Sequence, residues 1–64
     1  MSITRPLTTD EVHERTGVPV PTLRWWRHIG TGPRSFKIGR RVVYRTEDVE
    51  TWLEEQYAAT SVAG

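Results

Sequence analysis

Cysteine is absent from this 64-residue chain, so neither a disulfide nor the usual thiolate-bound structural zinc can staple it. No stretch approaches the roughly 20 apolar residues that span a bilayer, and the N-terminus lacks the apolar run of a signal peptide, which makes a cytoplasmic location the expectation. There is no Gly-rich phosphate loop and no convincing nucleophile–base pair, so no enzymatic activity, cofactor or metal is expected. His13 has no evident partners for a catalytic or metal role. Acidic residues are missing from one long stretch: residues 22 to 45 hold seven bases (Arg24, Arg27, Arg34, Lys37, Arg40, Arg41 and Arg45) and not one acid. Residues 46 to 56 reverse this, with Glu47, Asp48, Glu50, Glu54 and Glu55 and no base, so the net charge of +1 averages over strong segregation.

What is present is enough for one small folded domain. Apolar residues make up 36% and charged residues 27%, far from the composition of disordered chains, and three Trp, two Tyr and one Phe must carry much of a thin core. The domain is expected over residues 1–57, with residues 58–64 as a flexible tail.

The order of elements is legible from caps and breakers. Thr8 followed by Glu11 is a capping box, with Leu7 and Val12 placed as a hydrophobic staple, which predicts a helix over about residues 9 to 16 ended by Gly17. Pro21 suits the first turn of a second helix, in which Leu23, Trp26 and Ile29 face the core and Arg24 and His28 point away. Core packing is the expectation for both Trp25 and Trp26. Gly30, Gly32 and Pro33 break that helix. Alternation from Phe36 to Tyr44 predicts a β-hairpin. A three-residue connection at Gly39, Arg40 and Arg41, which pairs Ile38 with Val42 and Phe36 with Tyr44 on one apolar face, is preferred to a two-residue Gly39-Arg40 turn, which would put Arg41 on the face of Phe36 and Ile38 and bury less apolar surface. Thr46 reads as the cap of a third helix, with an apolar stripe of Val49, Trp52, Leu53 and Tyr57. The fold class is therefore α+β, a small winged helix: helix-turn-helix, two-stranded hairpin wing, C-terminal helix.

Two helices joined by a tight turn, the second one cationic, followed by a hairpin tipped with arginine, suit duplex DNA. Arg24 is the first candidate for a bidentate base contact, with Arg27 and His28 beside it, and Arg40 and Arg41 are candidates for the adjacent minor groove. Arg34, Lys37 and Arg45 read as phosphate contacts that position the domain. The competing readings are a merely solvated charged face and a protein-interaction domain that docks through the acidic third helix. Seven clustered bases without one acid favour DNA over the first.

Leu7-Thr8-Thr9, Thr16-Gly17-Val18, Thr22-Leu23 with Trp26-Arg27, the run from Lys37 to Arg41, Tyr44-Arg45, and Asp48-Val49 with Trp52-Leu53 together resemble the small excisionase and mercury-resistance-regulator-like (MerR-like) helix-turn-helix domains of phages and mobile elements, over about residues 7 to 55. The Trp-Arg-His, Gly-Pro-Arg-Ser-Phe and Arg-Arg-Val-Val-Tyr runs look most like the actinobacteriophage branch. The resemblance implies a second helix in the major groove and a wing at the minor groove, with contacts carried to Thr22, Arg24, Arg27, His28, Arg40 and Arg41. It also implies an excisionase acting in a bacterial host cell: a recombination directionality factor that binds several adjacent attachment-arm sites, bends DNA and steers a tyrosine integrase toward excision. The long dimerisation helix of the full-length mercury-resistance-type regulators is lacking, so the expectation is a monomer that assembles beside other copies of itself on DNA. A small transcriptional regulator or repressor of a phage or mobile-element operon is the alternative.

Overall fold

The computed structural model describes residues 5–61. The order is β1 (Leu7–Thr8), α1 (Thr9–Thr16), α2 (Val20–Ile29), β2 (Ser35–Ile38), β3 (Arg41–Tyr44) and α3 (Thr46–Thr60). The strands form one antiparallel sheet in the order β1-β3-β2. Small, mixed α and β, helix-turn-helix followed by a hairpin, this is a winged helix-turn-helix.

The start of α1 follows from two reciprocal bonds. The Glu11 amide donates to Thr8 Oγ1 at 3.1 Å and the Thr8 amide donates to Glu11 Oε1 at 2.9 Å, satisfying two amides that the helix itself leaves without partners. Gly17, at φ 78°, ends α1 and donates its amide to the His13 carbonyl at 2.8 Å. The turn is then held from both sides. His13 Nδ1 lies 2.8 Å from the Val18 carbonyl, which can only accept, so Nδ1 carries the proton; Thr16 Oγ1 donates to the Val12 carbonyl and accepts from the Val18 amide. His13 is thus a turn brace. At the far end of α2, Gly30 and Thr31 donate to the Arg27 and Trp26 carbonyls, the paired bonds of a Schellman ending.

Leu7, Val12, Leu23, Tyr44 and Val49 form the buried core, with Val18, Trp26, Val42 and Leu53 packed against it. The three helices and strands β1 and β3 each contribute at least one of these, so the core is the junction that fixes α1, α2, α3 and the sheet relative to one another, while β2 joins only through its pairing with β3. Trp26 and Trp52 close its side, with ring centroids 5.7 Å apart and planes tilted by 51°.

Several expectations are corrected here. Ile38 pairs with Arg41, Lys37 with Val42 and Phe36 with Val43, so the hairpin turns on two residues, Gly39 and Arg40, rather than three. Gly39 takes φ 61° while Arg40 stays at negative φ, the pattern of a type II′ turn, whose twist matches that of the strands. The apolar side chains are consequently divided. Val42 and Tyr44 face the core, whereas Phe36 and Ile38 share the outer face with Val43 and are partly exposed. The sheet also has a third strand, because Leu7 and Thr8 pair with Tyr44 and Val43. Strand β3 is therefore central, which explains how both Val43 and Tyr44 are buried on opposite faces.

Ile29 is exposed, because three-residue steps on a helix of 100° per residue turn it about 120° away from Leu23. Trp25 is 58% exposed, so only Trp26 of the pair packs on the core. Thr46 does not cap α3: Arg45 occupies the cap position and no side-chain bond is made there. Tyr57 is 72% exposed, because α3 outruns the small core. The helix continues three residues past the expected boundary at Tyr57, to Thr60, whose hydroxyl donates to the Gln56 carbonyl. Residues 62–64 of the expected tail lie outside the described residues.

Candidate nucleic-acid interface

Capping, turn and core packing set α2 beside the hairpin, and between them runs a groove of about 560 Å³. Arg24, Arg27 and His28 line it from α2, and Arg40 and Arg41 line it from the wing. These five residues are separated by up to 17 positions in sequence yet face one concavity. All five are exposed, and none of the four arginines makes an ion pair among the described residues. By contrast Arg5, Arg15 and Arg45 are paired with Glu11, Glu50 and Glu47. Free guanidinium charge is thus concentrated between helix and wing, where a polyanion would find a net positive field.

The groove also takes Thr8, the cap of α1, and Thr9 and Asp10 from its first turn; the sequence marked Thr8 only as a cap and gave Thr9 and Asp10 no part in the interface. Asp10 is the single acidic lining residue. Tyr44 forms part of the floor; burial pushes its phenol above the ordinary range, against a Thr9 hydrogen bond and the Arg27 charge. Charge counting had no means of finding the α1 contribution, because it depends on β1 pairing beside β3.

The remaining candidates lie elsewhere. Arg34 joins Arg27 in a separate concavity formed by the loop from Gly30 to Ser35. Lys37 is exposed opposite Val42 and shares its sheet face, but does not line the groove. Arg45 lies beyond the strand with Glu47 3.3 Å away. Thr22 is half-buried and does not line the groove, since it sits about 160° around the helix from Arg24. Trp25 tilts against His28, with centroids 5.9 Å apart and planes at 30°.

No group of three His, Cys, Asp or Glu side chains suited to a metal occurs among the described residues, and no described helix is long and apolar enough to cross a membrane. Among curated proteins and solved structures nothing matches the chain. A family model described as a helix-turn-helix domain matches residues 6–57, and the protein belongs to that family, whose fold supports sequence-specific binding of double-stranded DNA.

Proposed function

We propose that this protein is an excisionase, a DNA-bending accessory factor that directs a tyrosine integrase toward excisive recombination. The observation that carries the reading is the groove shared by α2 and the wing. A helix inserted in the major groove and a wing at the neighbouring minor groove must straddle the phosphate strand between them, and unpaired arginines line that path. Arg24 and His28 then meet base edges, Arg27 lies toward the strand, and Arg40 and Arg41 reach the minor groove. Arg34, Lys37 and Arg45 contact phosphates on the flanks. Engaging both grooves from a domain this small favours bent DNA, because bending brings the wing and α2 onto the duplex together. The helix-turn-helix family includes excisionase-like small DNA-binding proteins.

The residue pattern from Leu7 to Leu53 supports the excision role, and copies of the protein occupy adjacent sites on an attachment arm. The acidic surface of α3, bearing Glu50, Glu54 and Glu55, is repelled by phosphate and is left for a protein partner, the integrase.

The test is in vitro recombination between left and right attachment sites by the integrase encoded nearest this gene, with and without the protein. Product that requires the protein is the expected result. No stimulation, together with specific binding at a nearby promoter, would instead make it a small transcriptional regulator.

A further inference from the structure

An exposed tryptophan on the helix that reads DNA calls for a physical account. Trp25 is 58% exposed although Trp26, its neighbour, packs on the core. With Arg24 as the origin and 100° per residue, Leu23 and Trp26 lie at about 260° and 200°, so the buried arc of α2 centres near 230°. Its outward pole is then near 50°. His28 sits within about 10° of that pole, and Arg24 and Trp25 lie about 50° to either side of it. Arg27, at about 300°, leans to the Arg24 side, where the groove with the wing lies. Trp25 therefore occupies the other half of the base-facing arc, on the side away from the wing.

Its ring is not loose there. The Trp25 indole and His28 imidazole centroids are 5.9 Å apart at 30°, so the indole stands against a side chain that lines the groove. What it presents is a large apolar surface with a single N–H donor. In the major groove the one apolar feature is the C5-methyl of thymine, and apolar side chains recognise it by covering it.

We propose that Trp25 is a specificity-determining residue that reads a thymine methyl at the edge of the site furthest from the wing, with His28 holding the indole in place. This rests on the DNA-reading role given to α2. Cationic residues of the groove set position and strength of binding, and Trp25 adds a preference for thymine that charge alone does not provide.

The experiment starts from randomised duplexes enriched on the wild-type protein, then replaces each thymine of the enriched duplex in turn by deoxyuridine, which removes only the methyl group. Wild-type binding should weaken about three- to fivefold at one or two positions, the effect of uncovering one methyl-sized group. Trp25→Ala should bind the thymine duplex more weakly by a similar factor and be indifferent to uracil at those positions. Trp25→Phe, which keeps an apolar ring, should retain part of the discrimination. Since Trp25 lies outside the core, circular dichroism of the variants should match the wild type.

The proposal is overturned if Trp25→Ala prefers thymine over uracil as strongly as the wild type at every position. If Arg24→Ala loses sequence preference at the same time, the DNA-reading role of α2 stands and only the Trp25 inference falls. Failure of the wild type to enrich any sequence overturns both.

Discussion

Gly32 lies against Trp26 so closely that a Cβ placed on it would come within 2.8 Å of the indole Cε3 and 3.2 Å of the Trp26 Cβ. Its φ of 78° is also one that other residues rarely adopt. The loop after α2 is thereby pressed onto the tryptophan that seals the core beside Trp52.

Gly32→Ala should cost about 2 to 4 kcal/mol, combining left-handed strain with overpacking against the indole. Gly30→Ala meets no atom within 4 Å and should cost only the backbone strain, about 1 to 2 kcal/mol. Urea denaturation of the two variants decides the matter. Equal losses would mean that contact with Trp26 contributes nothing.

The hairpin register makes a second contrast. Val43 is 6% exposed on the outer sheet face whereas Ile38, on the same face, is 53% exposed. Val43→Ala should cost about 2 kcal/mol and Ile38→Ser less than about 1 kcal/mol. The reverse order would match a three-residue turn with Ile38 in the core.

That register also shows where reading from sequence stops. The first helix was legible to the residue, because Thr8, Glu11 and Gly17 encode its ends through local bonds. The turn was not, because counting apolar residues on one face of an isolated hairpin ignores a third strand. Once Leu7 pairs with Tyr44, β3 has neighbours on both sides and buries residues on both faces. Tyr57 fits an apolar period but extends past a core too small to cover it, Ile29 was placed by three-residue steps that carry it round the helix from Leu23, and Trp25 was judged by residue type rather than by its angle on α2. The basic segment was visible as charge; that Arg24 and Arg40 share a groove with Thr9 and Asp10 depends on tertiary packing.

Acid should destabilise the fold through Glu11. The Thr8 amide, followed by the Arg5 side chain, holds its carboxyl below the ordinary 4.5. A carboxylate depressed in the folded state contributes stability that is complete above the unfolded value and is lost as pH falls through the folded one. Glu47, lowered by its own backbone amide and then by Arg45, adds in the same direction. Urea midpoints should therefore drop as pH falls below about 4.5, and Glu11→Gln, which can still accept from Thr8, should make that drop shallower. An unchanged pH profile in the variant would remove Glu11 as a contributor.

Asp10 places a carboxylate among the arginines of the groove and has no ion pair among the described residues. Facing a phosphate strand, it opposes binding to any sequence. Asp10→Asn should bind mixed-sequence duplex more tightly, with the slope of log affinity against log salt steeper by up to about one. Weaker binding would instead assign Asp10 a favourable contact, such as acceptance from a cytosine amino group.

The wing offers the most direct separation of phosphate from groove contact. Arg40 lies at the turn and Arg41 opens β3, where it faces both the α2 groove and an outer concavity with Arg5 and Ile38. Replacing both with Ala should weaken binding and reduce the salt slope by up to about two if each neutralises a phosphate, and by less if they insert into the minor groove. In the second case the loss should be largest on duplexes with A·T-rich tracts, whose narrow minor groove concentrates negative potential. Filter binding across a salt series on A·T-rich and G·C-rich duplexes distinguishes the two. Unaltered affinity and slope on both would take the wing off the DNA and leave α2 to bind alone.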